Sequence, residues 1–313
     1  MDNNVNENRW GVLYCPKGGK RKVAAMWQKV QCALDERGVQ YDFVQSENTE
    51  SVERLMRMLI NNGYRTIVIV GGDSALNDAV NCLMEAGEEV RSRIVLGVIP
   101  NGLMNDFARF WKIREGEVGR AVDWLVRRRA RKIDLGCIRY TDAGGAKCRR
   151  YFLNCVNIGL TADMMDLRRR THRLLGSRTL SFVVSSVLML FHRLEYFVHL
   201  RMNGVEVRRK VMTVCIGNAY GYGQTPNAVP YNGLLDVSVV YHPEVAQLVA
   251  GVWLLLTGRF LNHRSVHPYR TREVEVAAAK HAKVGVDGRM MPTPTGPYTV
   301  GVVQEVVNFI IPD

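Results

Sequence analysis

The chain has 313 residues, with 42 Lys and Arg against 30 Asp and Glu, a formal net charge of +12. Hydrophobic residues make up 47% and charged residues 23%, a globular composition that excludes a disordered chain and places the excess charge on a folded body. That charge calls for an anionic partner: nucleic acid, an anionic membrane surface or a phosphorylated small molecule.

The first nine residues are polar and lack the apolar centre of a secretory signal. The longest apolar-rich stretches, 180–191 and 245–256, fall short of the ~20 apolar residues that a membrane span needs. Cysteines at 15, 32, 82, 137, 148, 155 and 215 form no CxxC pair, which argues against a disulfide framework and a zinc site. The expectation is a cytoplasmic protein that touches a membrane only peripherally.

Trp10–Tyr14 is a short apolar run ending in the loop 15–20, CPKGGK. Apolar residues then recur at 23, 26, 27, 30 and 34, a helical period closed by Gly38. Tyr41–Val44 reads as a strand, and Val52, Leu55, Met56 and Leu59 as one helix face ended by Gly63. Thr66–Val70 is an apolar β-branched run, as in a parallel strand buried on both faces. A helix over 73–84, a strand over 94–99 and a helix marked by 118, 121, 122 and 125 follow. This alternation predicts a doubly wound α/β domain over 1–133. Beyond it, strand-like segments dominate: 133–140, 150–158, 196–202, 206–217, 235–241, 273–277 and 283–287, with helices near 179–193 and 244–258. Residues 134–305 therefore read as a mainly antiparallel β-rich domain, and the final strand, near 306–311, is open to packing on either domain.

Two loops carry a chemical signal. In TIVIVGGDSALNDAVN (66–81) a buried strand runs through Gly71-Gly72 into Asp73 and a helix. Glycines let a ligand approach the backbone, and a helix N-terminus suits a phosphate. Asp73 could hold a divalent metal there or accept a proton; it reads equally as the N-cap of an ordinary strand–helix turn. IVLGVIPNGLMNDFA (94–108) repeats the geometry with Asn105-Asp106. Two parallel strands ending in such turns put both acids at the sheet edge where α/β folds bind ligands.

With these loops in view, the chain resembles the diacylglycerol kinase catalytic-domain family, shared by sphingosine, ceramide and bacterial lipid kinases, and more distantly NAD kinase. The likeness lies in CPKGGK (15–20), GGDSALNDAVN (71–81), PNGLMNDFA (100–108), YFLNCVNIGLTADM (151–164), VCIGNAYGYGQTPNAVPYNGLLDV (214–237) and VGVDGRMMPTP (284–294), in the family's order. It implies an NAD kinase-like α/β domain followed by a β-sandwich, with ATP and Mg2+ as cofactors and phosphoryl transfer to a lipid hydroxyl. It implies a nucleotide site at Cys15, Lys17, Gly18, Gly19, Ser46, Gly71, Gly72, Asp73, Ser74, Ala75, Asn77, Gly102, Leu103, Asn105 and Asp106. Asp73 would organise magnesium and phosphate, Asn232 and Leu234 would sit at a structural magnesium, and Asp287 would be the catalytic base. The acceptor would be of the diacylglycerol, ceramide or sphingoid-base class.

The chain departs from the family pattern at Ser74 and Ala75, where Gly-Thr is usual, at Leu103 for Thr, and at Cys15 for Asn. Asn232 replaces an acid, and hard cations favour carboxylate oxygens. Arg289 replaces a Glu; a cation paired with Asp287 would weaken it as a base. A weak or silent member that binds lipid or nucleotide without transfer is therefore the alternative. Arginines at 127–129, 131, 149–150, 168–170, 173, 178 and 208–209, some beside the apolar stretch 180–191, suit an anionic membrane, and equally a solvated face. No nucleic-acid-binding motif accompanies them, so no nucleic acid partner is expected. A homodimer is left open.

Overall fold

The computed structural model describes residues 8–16, 20–48, 51–102, 105–164, 195–241, 254, 259–292, 294 and 296–312. The chain divides into two compact units: Met1–Leu135 with Gln304–Asp313, and Gly136–Val303.

In the first unit, β1 (Trp10–Tyr14), β2 (Tyr41–Gln45), β3 (Thr66–Gly71) and β4 (Val95–Pro100) form a parallel sheet in the order β2-β1-β3-β4. Every residue of β3, TIVIVG, is buried, because parallel strands are covered on both faces. The end of the last strand, β16 (Tyr298–Ile310), joins the sheet through Asn308–Phe309 beside Val95–Leu96. The helices are α1 (Lys20–Asp35), α2 (Ser51–Asn61), α3 (Asp73–Glu85), α4 (Glu88–Arg93), α5 (Asp106–Phe110) and α6 (Val118–Arg127).

Periodicity explains which faces they bury. α2 buries Val52, Leu55, Met56 and Leu59, and α6 buries Val118, Ala121, Val122 and Leu125, each at helical spacing. Gly63, at φ 80, ends α2 in the left-handed conformation that glycine adopts without a Cβ penalty. Glycines also let helices sit close to the sheet. A Cβ on Gly11 would lie 3.0 Å from Leu59 of α2, and one on Gly97 would lie 2.3 Å from Leu125 of α6. Gly11 pairs with Ile67, whereas Gly97 pairs with Val68, so the two glycines point to opposite faces. α2 and α6 therefore cover opposite faces, α2 packed with α3 and α1 with α6. Arg37, two residues past the end of α1, pairs with Asp123 of α6 at 2.7 Å. The unit is doubly wound.

The second unit is a sandwich of two antiparallel sheets. One contains β8 (Tyr196–Met202), β9 (Val205–Val211), β13 (Glu273–Lys280) and the first part of β16, in the order β16-β13-β8-β9, with β5 (Ala130–Thr141) pairing β6 (Lys147–Phe152). The other runs β12-β11-β10-β7-β14-β15, from β7 (Cys155–Gly159), β10 (Thr213–Gly217), β11 (Leu235–Val240), β12 (Val266–Thr271), β14 (Val284–Val286) and β15 (Arg289–Met290). Val156, Ile158, Val214, Ile216, Val237 and Val239 from this sheet meet Val198, Leu200, Val274, Val276 and Val300 from the other in one core.

Two runs that read as single strands are each two strands in different sheets. The run 150–158 breaks at Leu153-Asn154 between β6 and β7, and the run 206–217 breaks at Met212 between β9 and β10. The cause is the sandwich itself, whose chain must cross between layers. β12 carries no apolar run: it is VHPYRT, with all four residues between Val266 and Thr271 partly or fully exposed. The helices expected near 179–193 and 244–258, and the arginines at 168–178, lie outside the described residues apart from Leu254. Among the described residues, no helix is long and apolar enough to cross a membrane.

The contact at Gly97 gives a stability test. Gly97→Ala forces Leu125 off its seat on β4, and urea unfolding should show a loss of about 1–3 kcal/mol; an unchanged midpoint would mean that α6 shifts without strain.

Candidate active site

In the first unit, the loops after β1, β2, β3 and β4 leave the same edge of the sheet, because the strands are parallel and adjacent. Their first residues continue the ladder: Cys15 N–H donates to the Val70 carbonyl at 2.8 Å, Ser46 N–H to Tyr14 at 2.8 Å and Asn101 N–H to Gly71 at 2.9 Å. Gly71 is hemmed in; a Cβ there would lie 3.1 Å from the Ala75 Cβ and 3.2 Å from the Cys15 Cβ. Gly72 caps α3 in an extended conformation, and its carbonyl accepts the N–H groups of Ala75 and Leu76, both at 3.0 Å, with Ser74 in the same turn. Lys17, Gly18, Gly19 and Leu103 lie outside the described residues.

Asp73 does not cap its own helix. Its carboxylate, only 5% exposed, accepts the N–H of Asp106 at 2.8 Å on Oδ2 and that of Phe107 at 3.3 Å on Oδ1. It thus caps α5 and binds the loop after β3 to the loop after β4. The N-cap reading of Asp73 is corrected in this sense: the capped helix is the next loop's. Asn105 closes the second loop on itself, its Oδ1 accepting Gly102 N–H at 2.8 Å and its Nδ2 donating to the Gly102 carbonyl at 3.1 Å. Asp106 is buried and pairs with Arg109 at 3.2 Å. Asn77 is buried, and its side-chain and backbone oxygens accept the Asn81 amide at 3.2 and 2.8 Å. Burial pushes the Cys15 thiol up to about 11, a hydrogen bond with Ser46 opposing the rise and the nearby Asp78 adding to it.

In the second unit, Asp287 and Gly288 are the two central residues of the β14–β15 hairpin, flanked by the pair Val286 and Arg289. Both have positive φ, 44 and 78, as a type I′ turn requires and as Asp-Gly supplies. That turn carries the Asp287 side chain to the break between β6 and β7. There, buried to 1% exposure, its carboxylate accepts three backbone N–H groups: Leu153 at 2.7 Å, Asn154 at 2.9 Å and Cys155 at 2.9 Å. The loop after β10 lies alongside, with Asn218 N–H donating to the Asn154 carbonyl at 2.8 Å and Asn218 Nδ2 to the Leu153 carbonyl at 3.0 Å. Tyr222 Oη lies 3.3 Å from where a Cβ on Gly288 would sit. Asn154 is fully buried, yet among the described residues neither its Nδ2 nor its Oδ1 has a hydrogen-bond partner. An unsatisfied buried polar group costs about 1–3 kcal/mol. Asn154 stands inside the motif 151–164, but only the packed structure singles it out, because its distinction is the lack of a partner.

Asn232 and Leu234 lie in the turn before β11, where Asn232 Oδ1 accepts the Leu234 N–H at 3.0 Å. Among the described residues, no three His, Cys, Asp or Glu side chains group as a metal site. The donors expected for magnesium are instead single oxygens: a carboxylate at Asp73, an amide at Asn232 and a carbonyl at Leu234. All are hard ligands of the kind magnesium takes while keeping waters or phosphates, so their chemistry fits.

Comparison with known proteins gives two consecutive family matches. The model of the diacylglycerol kinase catalytic domain matches residues 9–138, and that of the YegS C-terminal NAD kinase beta sandwich-like domain matches residues 154–311. A diacylglycerol kinase of Bacillus subtilis (strain 168) is 24% identical over 287 residues, covering 88% of each chain. The crystal structure of a diacylglycerol kinase from Bacillus anthracis Sterne superposes with a TM-score of 0.71 at 15% identity, covering 97% of each chain. Yeast NADH kinase complexed with NADH superposes at 0.54 with 9% identity, covering 98% of this chain and 84% of its own.

The Cys15 thiol gives a pH test. Held protonated to about 11, it should resist iodoacetamide at pH 8 while the exposed Cys32 is labelled, as read by peptide mass mapping. Labelling of Cys15 at a rate equal to Cys32 would contradict its burial in the loop.

Proposed function

The chain belongs to the diacylglycerol kinase catalytic-domain family, and from that membership we propose that it is a lipid kinase that moves the γ-phosphoryl group of ATP to a lipid hydroxyl. The observation that carries this reading is the Asp287 carboxylate, buried and fixed by three N–H groups in a hairpin turn. A carboxylate so held is fixed in position, and its remaining lone pairs can accept a hydrogen bond from a substrate hydroxyl. The acceptor hydroxyl oxygen forms a bond to the γ-phosphorus, its proton passes to Asp287, and the bond from that phosphorus to the β–γ bridging oxygen breaks, releasing ADP. Such a transfer depends mainly on positioning and charge neutralisation.

The nucleotide is assigned to the loops of the first unit. Gly72, at the cap of α3, allows close approach, the N-terminus of α3 brings the positive end of the helix dipole, and Asp73 holds the neighbouring loop in place. Magnesium, when bound, supplies positive charge to the phosphates; Asp73 is the residue proposed to hold it, with Asn232 and Leu234 at a second, structural ion. Arg289, in β15 directly after the turn, is assigned to modulate Asp287 or to meet an anionic group. The exposed arginines at 127–129 and 131, and Arg208, Arg209 and Lys210 of β9, are suited to an anionic membrane surface, where each adds ~1 kcal/mol.

ATP turnover with diacylglycerol, ceramide, sphingoid base and phosphatidylglycerol in mixed micelles tests the reading. Lipid-dependent ADP formation is expected, with kcat lowered about 10²- to 10⁴-fold in Asp287→Asn. ADP release that ignores lipid, or an Asp287→Asn variant as active as the parent, would sink it.

A further inference from the structure

We propose that Asn154 is a residue of the acceptor site, and that its carboxamide binds an oxygen neighbouring the reacting hydroxyl of an uncharged lipid. This rests on the kinase reading and extends it to a residue not among the sequence-derived site residues. A carboxamide offers two donors and an acceptor oxygen. At Asn154 both ends are enclosed and, among the described residues, neither meets a hydrogen-bond partner. Ser238 and Tyr298 also bury unpartnered atoms, but each is a single hydroxyl, whereas Asn154 leaves a whole amide unmatched. Its place is also specific: its own N–H is one of the three that hold Asp287, and its carbonyl accepts the N–H groups of Asn218 and Ala219 at 2.8 and 3.1 Å. The backbone of Asn154 is therefore fixed on both sides, while its side chain is left for something the described residues do not supply.

The chemistry of that partner follows from the amide. It is neutral and carries both donors and an acceptor, so it matches a neutral polar group such as a carbonyl or hydroxyl. An acceptor with a carbonyl or hydroxyl oxygen one or two bonds from the reacting hydroxyl would take a hydrogen bond from Nδ2 while its hydroxyl faces Asp287. A residue held for a ligand and unsatisfied without it lowers the stability of the unliganded protein, and this separates it from a structural amide.

The test uses the full chain, its Asn154→Leu variant, which keeps the shape and removes the polarity, and Asn154→Ser as a smaller polar control. The probes are 1,2-dioctanoylglycerol and sphingosine in mixed micelles. Asn154→Leu should match or exceed the parent in thermal stability, raise KM for dioctanoylglycerol roughly tenfold and leave KM for ATP unchanged. Asn154→Ser should fall between the two. The parent should prefer dioctanoylglycerol to sphingosine. A less stable Asn154→Leu variant with an unchanged dioctanoylglycerol KM would show that the amide serves a buried water, and would overturn the proposal. A parent that prefers sphingosine would overturn the neutral-acceptor part. If the parent transfers no phosphate to any lipid, the kinase reading fails separately. Stabilisation by dioctanoylglycerol of the parent but not of Asn154→Leu still supports the binding role, and equal stabilisation of both removes it.

Discussion

The second unit is organised around one carboxylate meeting three backbone N–H groups. The chain leaves one sheet after Phe152 and enters the other at Cys155, and a crossing of this kind strands the N–H groups between them. Asp287 takes the N–H groups of Leu153, Asn154 and Cys155 and so makes the crossing possible in a buried setting. The same bonds fix the β14–β15 turn against the start of β7, and the Asp287 N–H returns a bond to the Cys155 carbonyl at 3.1 Å. Charge-assisted bonds of this type are roughly twice as strong as neutral ones. Fold and candidate chemistry therefore share an anchor, and a substitution at Asp287 must be judged on stability as well as on rate.

The first unit uses the same device at Asp73. Its carboxylate reaches across to the first N–H groups of α5, which have no partner within their own helix. α5 is only five residues long and could not hold itself in place by its own hydrogen bonds. Tying it to Asp73 couples the two glycine-bearing loops, so that the position of one depends on the other. Two buried acids, each satisfied by backbone donors, thus set the loops of the two units.

Periodicity made the first unit readable because its helices bury one face at i, i+3, i+4 spacing and its central strands are continuously apolar. The Asp-Gly hairpin was readable for a similarly local reason, since few residue pairs accept two positive φ angles. The crossings at 153–154 and 212 were not. β7 and β10 are buried on both faces, Val156, Ile158, Val214 and Ile216 toward the core and Asn157, Thr213 and Cys215 on the other side, so no alternation marks where a strand stops. The polar side is satisfied from a distance: Gln224 Nε2 donates to Asn157 at 3.2 Å, and Thr161 shares hydrogen bonds with Thr213 at 2.9 Å and Gln224 at 3.3 Å. Partners tens of residues apart in sequence leave no local signal. Those of Asp73 and Asp287, 33 to 134 positions away, are hidden for the same reason.

The departures from the family pattern also gain a spatial order. Cys15 and Ala75 stand far apart in sequence, each where the family usually carries a side chain with a polar donor or acceptor. Both flank Gly71 closely enough that a Cβ there would meet each within 3.2 Å. They are neighbouring changes on one wall of one loop, and the thiol there stays protonated through the physiological range. On the proposed nucleotide site, this wall leaves more of the hold on phosphate to backbone N–H groups and the N-terminus of α3, which do not depend on side-chain identity. Contacts of that kind would fix phosphates without reading a base, so on the proposed reading any discrimination among nucleotides falls to other loops at the same edge.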